Sequence, residues 1–237
     1  MNSSLLNASF ITRFWDSTIG KKWLVALTGI ILTLFLAGHL SGNLLIYVGQ
    51  EAFNDYAQFL HELLHGAGVW IARAVLLASL VIHVAATISL TRRNRAARQQ
   101  YENRAVIQAK KSSLIMVWSG LTILAFVIFH LLHFTVRVTY PAERYVDVYA
   151  PGKERFDAWQ MVIDGFSNPW VVIFYVVAMS LLCSHLSHGV QSIFQTLGLR
   201  SKKNAGMLDK LSLGYAAVIW IGFVSIPVSI LIFQFGR

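Results

Sequence analysis

Residues 22–48 form the long apolar run KWLVALTGIILTLFLAGHLSGNLLIYV. A bilayer-spanning helix needs about 20 mostly apolar residues, and this run exceeds that length. It begins too far into the chain, and is too long, for a cleaved signal peptide. The sequence therefore predicts an all-α integral membrane protein, in which residues 1–237 form a single domain built on a bundle of five transmembrane helices. The other four apolar runs cover residues 69–90, 112–138, 169–197 and 211–235.

The composition excludes most soluble functions. Of the 237 residues, 56% are hydrophobic and 13% are charged, whereas an average soluble domain is about a quarter charged. The single cysteine, Cys183, excludes an intrachain disulfide, a thiolate zinc site and an iron–sulfur cluster held by this chain alone. We expect it to be a packed apolar residue. No Cys-x-x-Cys-His sequence occurs, which excludes covalent attachment of a c-type haem.

The net charge of +9 is explained by membrane topology rather than by a nucleic-acid partner. Basic residues cluster in the N-terminal tail, in the loop after the second segment and in the loop after the fourth. These three segments lie on one face if the five helices alternate in direction. The positive-inside rule makes that face cytoplasmic, so the N-terminus is predicted inside and the C-terminus outside. The basic residues are Arg13, Lys21, Lys22, Arg92, Arg93, Arg95, Arg98, Arg104, Lys110, Lys111, Arg200, Lys202, Lys203 and Lys210.

Histidine occurs inside each of the first four apolar segments, and ionisable residues at membrane depth indicate function. The first and third segments run outward, which places His39 and His130 near the outer face at a rise of about 1.5 Å per residue. The second and fourth run inward, which places His83 and His185 near the inner face. The helix rise therefore predicts two histidine pairs, His39 with His130 and His83 with His185, at levels about 15 Å apart.

Two histidines that face each other across a helix bundle form a site for haem b. With both axial positions taken by imidazole, the iron has no open position for dioxygen, which favours one-electron transfer. Two such haems b would connect the two faces of the membrane. Gly38, Gly42 and Gly189 lie near the four histidines and are expected to leave room for the flat macrocycles, although small residues also serve ordinary helix packing.

Helical periodicity leaves the choice of two ligands open. His133 follows His130 by three residues, and His188 follows His185 by three, so each of these pairs shares a helix face. Either member can be the ligand, and the other can bind a propionate or a quinone.

Polar residues in two further segments are candidates for a quinone or proton site. The outer segment HELLHGAG carries His61, Glu62 and His65, which are either solvated loop residues or proton-handling groups beside a quinone. On the inner side, Ser17 and Lys21 either anchor the first helix or line a quinone pocket.

The stretches around the four histidines carry a family resemblance. They read GHLSGNLLIYVGQEAFNDYAQFLHE around His39, VIHVAATISLTRRN around His83, FVIFHLLHF around His130 and HLSHGVQSIFQTLG around His185. Together they resemble the cytochrome b membrane-anchor subunit of succinate:quinone oxidoreductases (succinate dehydrogenase and fumarate reductase), of the kind with one five-helix polypeptide and two haems. The family's fourth-helix pattern, a histidine followed by a glycine four residues later, fits His185 and Gly189.

The resemblance implies how the site is used. The first and third helices would hold the outer haem and the second and fourth the inner haem, with His130 and His185 preferred over their neighbours. Electrons would pass, within the tricarboxylic acid cycle or in fumarate reduction, between a dicarboxylate and a membrane quinone, menaquinone in most two-haem members. Some members carry an acidic residue two positions before the fourth-helix histidine for proton movement, and Cys183 at this position argues against such a path.

The resemblance also implies partners and a location. An iron–sulfur subunit and a flavoprotein that carries FAD would dock on the cytoplasmic face of the bacterial cytoplasmic membrane. Neither the iron–sulfur clusters nor FAD would belong to this chain. An oligomer of the whole complex is a further expectation.

Two other functions fit parts of the pattern. The cytochrome b subunit of a hydrogenase or formate dehydrogenase also buries several histidines in a small bundle. One histidine in each of four consecutive helices favours the anchor subunit of a succinate:quinone oxidoreductase over this alternative. A transporter whose histidines relay protons or bind a metal belongs to a different class. Such proteins tend to show repeat symmetry and broken helices, and the sequence indicates neither.

Overall fold

The computed structural model describes residues 12–96 and 111–236 of the chain. Within these ranges five helices are long and apolar enough to cross a membrane, as the sequence predicts. Between them lie two shorter helices and one β-hairpin. The elements are α1 (Thr18–Asn43), α2 (Gln50–Glu62), α3 (Ala67–Ala96), α4 (Lys111–His130), β1 (Val146–Ala150), β2 (Lys153–Phe156), α5 (Ala158–Gly165), α6 (Pro169–Thr196) and α7 (Ala205–Ile232). A 3-10 turn, Leu44–Tyr47, extends α1, and a π-helical turn, Leu131–Thr135, extends α4.

Helix α6 begins at Pro169, where its apolar run begins, whereas most ends of the other spanning helices differ from the predicted ends by several residues. Helix α1 begins after Ser17, whose side-chain Oγ accepts a hydrogen bond of 2.7 Å from the Gly20 amide. Helix α7 begins before its apolar run, where Arg200 donates two hydrogen bonds to the Asp209 carboxylate. Hydropathy locates the apolar part of a helix, whereas capping and ion pairs decide where the helix ends. The predicted basic residues Arg98, Arg104 and Lys110 lie outside the described residues.

Helix α6 is the centre of the bundle. It packs against α7, α4 and α1, and α1 also packs against α3. Among the described residues, α3 and α4 do not pack extensively against each other. The four helices that carry the paired histidines are therefore arranged as α3–α1–α6–α4, with one side of the group open.

The two ends of the bundle differ in structure and charge. The basic end contains the start of α1, the end of α3 and the loop between α6 and α7. The cap end contains α2, the hairpin of β1 and β2, and α5. By the positive-inside rule, the basic end is the one that the sequence predicts to be cytoplasmic.

Both connections at the cap end contain regular secondary structure. Helix α2 packs against α5 and against α3, and β1 pairs antiparallel with β2 so that Val146 lies opposite Phe156. These elements are short and mixed in polarity, so hydropathy does not reveal them. Their stability depends on contacts between residues that are far apart in the sequence.

One buried arginine organises the cap. The Arg155 side chain is only 4% exposed, and its Nε donates a hydrogen bond of 2.7 Å to Asp147. The same guanidinium also pairs with Asp55 and lies 3.6 Å from Glu51. Burial alone raises the pKa of Asp147, but hydrogen bonds from Arg155 and Asn54 outweigh this effect and hold the pKa below its ordinary value. The hairpin is thus joined to α2 by charge-assisted hydrogen bonds.

A second link joins α2 to α5 through a fully buried amide. The Asn54 side chain accepts a hydrogen bond of 2.9 Å from the Trp159 amide and donates one of 2.9 Å to Asp157. Asp157 in turn caps α5 by accepting from the Gln160 amide at 3.0 Å. Both loops of the cap are therefore held together by side chains that are buried and hydrogen-bonded.

Replacing Arg155 by methionine is expected to destabilise the cap by about 3 kcal/mol, because removing one partner leaves carboxylates without their cation in a partly buried place. The measurement is thermal unfolding in detergent, together with hydrogen exchange over residues 146–156. The matched control is Arg144→Met, since Arg144 is 67% exposed and lies 3.9 Å from Asp164, a kind of pair worth about 1 kcal/mol or less. Equal effects of the two substitutions would contradict the prediction.

Candidate functional site

At the cap-end level, the structure brings His39 of α1 and His130 of α4 together. Their ring centres are 5.9 Å apart and their planes are nearly perpendicular, at 83°. Phe35 stacks on His39 with a centre distance of 5.2 Å, and Phe126 lies 5.8 Å from His130. The Asn43 side chain donates to the His39 carbonyl at 2.7 Å and its amide nitrogen lies 3.3 Å from the ring Nδ1. Both imidazoles are thus enclosed by aromatic and amide groups.

A tyrosine on α6 joins the two histidines of α4. The hydroxyl of Tyr175 lies 3.3 Å from Nδ1 of His130 and 3.0 Å from Nδ1 of His133. Its hydroxyl group has one proton, so it can donate to one ring and accept from the other. The ring of His133 is buried on the cap side of this tyrosine, 4.0 Å from the centre of Phe134. His130 is the ring that faces His39, which supports the choice of His130 as the ligand.

At the basic-end level, each histidine meets a hydroxyl on the neighbouring helix. His83 of α3 has its Nδ1 3.1 Å from Oγ1 of Thr28 on α1. His185 of α6 has its Nδ1 3.3 Å from Oγ of Ser119 on α4. The structure therefore brings the second predicted pair into one region of the bundle.

The hydroxyl partners also fix the distance between the two levels. In both α1 and α4, the hydroxyl residue precedes the histidine of the same helix by 11 residues. At a rise of 1.5 Å per residue, this spacing amounts to about 16 Å along the helix. Because the hydroxyl residues contact the basic-end histidines, the two histidine levels are separated by about this distance.

The glycines near the histidines have three kinds of surroundings. A Cβ atom on Gly42 would overlap the ring of Tyr56, so a side chain of α2 fills the space beside Gly42. A Cβ atom on Gly38 or Gly189 would meet no heavy atom within 4 Å, so these two glycines border open space. Two other glycines lie beside the basic-end histidines. A Cβ on Gly29 would lie 3.7 Å from Cε1 of His83, and a Cβ on Gly120 would lie 3.6 Å from Cε1 of His185.

The remaining predicted site residues lie apart from the histidine pairs. Ser17 caps α1, and Lys21 is buried with its Nζ 5.6 Å from the Trp15 ring centre. His61 and Glu62 belong to the last turn of α2 rather than to a loop. Nδ1 of His61 lies 2.8 Å from the Ala57 carbonyl, and Glu62 accepts a hydrogen bond of 2.7 Å from Gln58. Cys183 is buried and free, as expected for a packed apolar residue.

The sequence reasoning missed the residues that support the histidines, although a short internal repeat marks some of them. Helices α1 and α4 both contain a hydroxyl residue, glycine, five residues, phenylalanine, three residues and histidine. In α1 the motif covers residues 28–39, and in α4 it covers residues 119–130. No comparable signal marks Tyr175, whose contacts arise from helix packing.

The donor set fits a haem. Among residues 12–96 and 111–236, no group of three or more His, Cys, Asp or Glu side chains is placed to hold a bare metal ion. A haem iron needs only two protein ligands, because the porphyrin supplies the other four nitrogens. The 5.9 Å between the ring centres of His39 and His130 suits two imidazoles that share one metal ion, each nitrogen about 2 Å from it.

A comparison with known protein families assigns the chain to a family. Residues 89–223, more than half of the chain, match the model of the family described as the succinate dehydrogenase/fumarate reductase transmembrane subunit. The chain belongs to this family. The matched part includes His130 and His185 together with their supporting residues Ser119 and Tyr175. No curated protein and no solved structure matches the chain.

As a succinate dehydrogenase/fumarate reductase transmembrane subunit, the chain is the membrane anchor of an oxidoreductase complex and a multi-pass membrane protein. The family assignment confirms the resemblance seen in the sequence. It also decides against a hydrogenase or formate dehydrogenase subunit and against a transporter.

Substituting alanine for Gly42 is expected to destabilise this transmembrane subunit by about 1–3 kcal/mol, because the new methyl group would force the Tyr56 ring to move. Thermal unfolding in detergent measures the effect. Gly214→Ala is the control, since a Cβ at Gly214 meets no heavy atom within 4 Å. An unchanged unfolding temperature for the Gly42 variant would show that α2 does not pack tightly on α1.

Proposed function

We propose that the chain is a dihaem cytochrome b anchor that passes electrons between an iron–sulfur subunit and a membrane quinone. The observation that carries this proposal is the arrangement of four histidines in two pairs, at levels about 16 Å apart along the helices. Each pair draws one residue from each of two helices that are not neighbours in sequence. Such an arrangement suits electron transfer across the apolar part of a bilayer.

The histidines would hold two haems b. His39 and His130 would ligate the haem at the cap end, and His83 and His185 would ligate the haem at the basic end. A haem with two imidazole ligands supplies one-electron transfer without an open position for dioxygen. The chain itself holds the rings in place, encloses them among apolar side chains and so excludes water from the path.

The partner subunits would dock at the basic end. This end carries the positive charge that the positive-inside rule assigns to the cytoplasm, so the proposed membrane is the bacterial cytoplasmic membrane. The iron–sulfur subunit and the flavoprotein would bind there, and the dicarboxylate chemistry would take place on the flavoprotein. In the oxidising direction, succinate gives two electrons and two protons as it becomes fumarate, and the quinone takes up two electrons and two protons.

An apolar groove at the cap end is the proposed quinone site. It has a volume of about 360 Å³ and lies between α1 and α3, beside the turn that follows α2. Phe35 forms part of its wall and stacks on His39, so a bound ring would lie close to the cap-end pair. Leu63 and Leu64 line the groove, and Glu62, the residue before them in the chain, is the candidate proton-handling residue. The proposed substrate is menaquinone, whose long apolar tail suits a groove open to the lipid.

Alanine at His39 or His130 is expected to remove the cap-end haem, and alanine at His83 or His185 the basic-end haem, because each haem loses an axial ligand. The haem content should fall from two to one per chain. Dithionite-minus-ferricyanide difference spectra and pyridine haemochrome quantitation on the purified complex measure this result.

The controls for this experiment are His133→Ala and His188→Ala, which should each retain both haems. Wild-type haems should be low-spin and should not react with carbon monoxide. Loss of the same spectral component after substitution of His39 and of His83 would contradict the proposed pairing. A wild-type protein without haem, expressed with haem available, would overturn the proposal as a whole.

Filling the groove is expected to slow quinone reduction without loss of haem. Val75→Trp places a large ring in the groove and should lower the quinone-linked rate about tenfold or more, which corresponds to about 1.4 kcal/mol of binding. The rate with an artificial acceptor that takes electrons from the partner subunits should stay unchanged. Leu77→Trp is the matched control, since Leu77 lies on the same helix but outside the groove lining. Equal quinone-linked rates for the two variants would place the quinone elsewhere.

A further inference from the structure

The repeated motif in α1 and α4 links the two histidine levels. Each of these helices carries a cap-end histidine and, 11 residues before it, a hydroxyl residue that contacts a basic-end histidine on another helix. Eleven residues are close to three full turns of an α-helix, so both groups lie on the same helix face. On each of these two helices, one face therefore carries both the cap-end histidine and the hydroxyl residue that contacts a basic-end histidine.

The hydroxyl groups of Thr28 and Ser119 each donate a hydrogen bond to a backbone carbonyl of their own helix. Oγ1 of Thr28 donates a hydrogen bond of 2.6 Å to the Leu24 carbonyl. Oγ of Ser119 donates one of 3.0 Å to the Met116 carbonyl. A hydroxyl group has one proton and two lone pairs. Toward the histidine, each of these oxygens can therefore act only as an acceptor.

The imidazoles must then be the donors. Nδ1 of His83 lies 3.1 Å from the Thr28 oxygen, and Nδ1 of His185 lies 3.3 Å from the Ser119 oxygen. A hydrogen bond at these positions requires a proton on Nδ1 of each ring. A neutral imidazole with its proton on Nδ1 has an unprotonated Nε2, the form that binds a metal.

We propose that Thr28 and Ser119 are positioning residues that hold His83 and His185 in the tautomer with Nε2 free for iron. This inference rests on the proposed function, because it assigns a role toward the basic-end haem. The residue after each hydroxyl residue also lies beside a ring, since a Cβ on Gly29 or Gly120 would be in van der Waals contact with Cε1 of His83 or His185, respectively. The hydrogen bond also raises the basicity of each imidazole, which favours ferric iron and lowers the haem potential.

The experiment compares Thr28→Val and Ser119→Ala with the wild type in the purified complex. Both changes remove the acceptor and nearly preserve the shape of the side chain. The midpoint potential of the basic-end haem should rise, and its low-spin electron paramagnetic resonance signal should shift. The cap-end haem should keep its potential and its signal. Loss of a hydrogen-bond partner of a metal ligand lowers metal affinity about 10- to 100-fold, so loss of the basic-end haem on extensive washing is a further expected result.

Two other variants separate positioning from simple packing. Thr28→Ser restores the acceptor and should restore the wild-type potential. Thr122→Val is the matched control on α4, since the Thr122 hydroxyl donates to the Trp118 carbonyl at 3.0 Å and is exposed. It should leave both haems unchanged. A wild-type potential in Thr28→Val and Ser119→Ala, with both haems present, would overturn this inference and leave the proposed function intact.

A second measurement tests the tautomer without haem. Nitrogen-15 magnetic resonance of the full chain labelled at histidine should show His83 and His185 protonated at Nδ1 in the haem-free wild type. The signals should change toward the other tautomer in Thr28→Val and Ser119→Ala, respectively. Protonation at Nε2 in the wild type would overturn the inference, whatever the haem content of the protein.

Discussion

The structure depends on one constraint, namely that a polar ring inside an apolar bundle must find its hydrogen-bond partners within the bundle. A buried polar group without a partner costs about 1–3 kcal/mol, and a lipid-filled surrounding offers no water in its place. Each paired histidine meets this constraint with a side chain on its own or a neighbouring helix. Those partners are Asn43, Tyr175, Thr28 and Ser119. Three of the four contacts join different helices, so they also set the heights of the helices relative to each other.

The cap meets a related constraint at the membrane surface. Helix α2 connects α1 to α3, while the hairpin and α5 connect α4 to α6. Asn54 and Arg155 tie these two connections together through buried hydrogen bonds. The cap therefore couples the two pairs of helices at one end of the bundle. This coupling matters because α3 and α4 have little direct contact in the described part of the chain.

Much of the fold follows from simple properties of the sequence, and what does not follow has physical reasons. The five spanning helices are predicted correctly because a bilayer demands long apolar runs. The closeness of His39 to His130 follows from the constant rise of a helix. Helix α2 and the hairpin are missed because tertiary contacts such as those of Arg155 stabilise them. The contact between Gly42 and the Tyr56 ring likewise depends on tertiary packing that only the folded chain shows.

The 11-residue interval between hydroxyl and histidine has a consequence for how this chain can change over evolution. One residue inserted between Gly29 and His39 would turn the histidine by about 100° and shift it by about 1.5 Å relative to Thr28. Either the cap-end or the basic-end contact of α1 would then be lost. The number of residues between the hydroxyl residue and the histidine must therefore stay the same in α1 and in α4. An insertion in the connecting segments beyond the helices would leave both intervals unchanged.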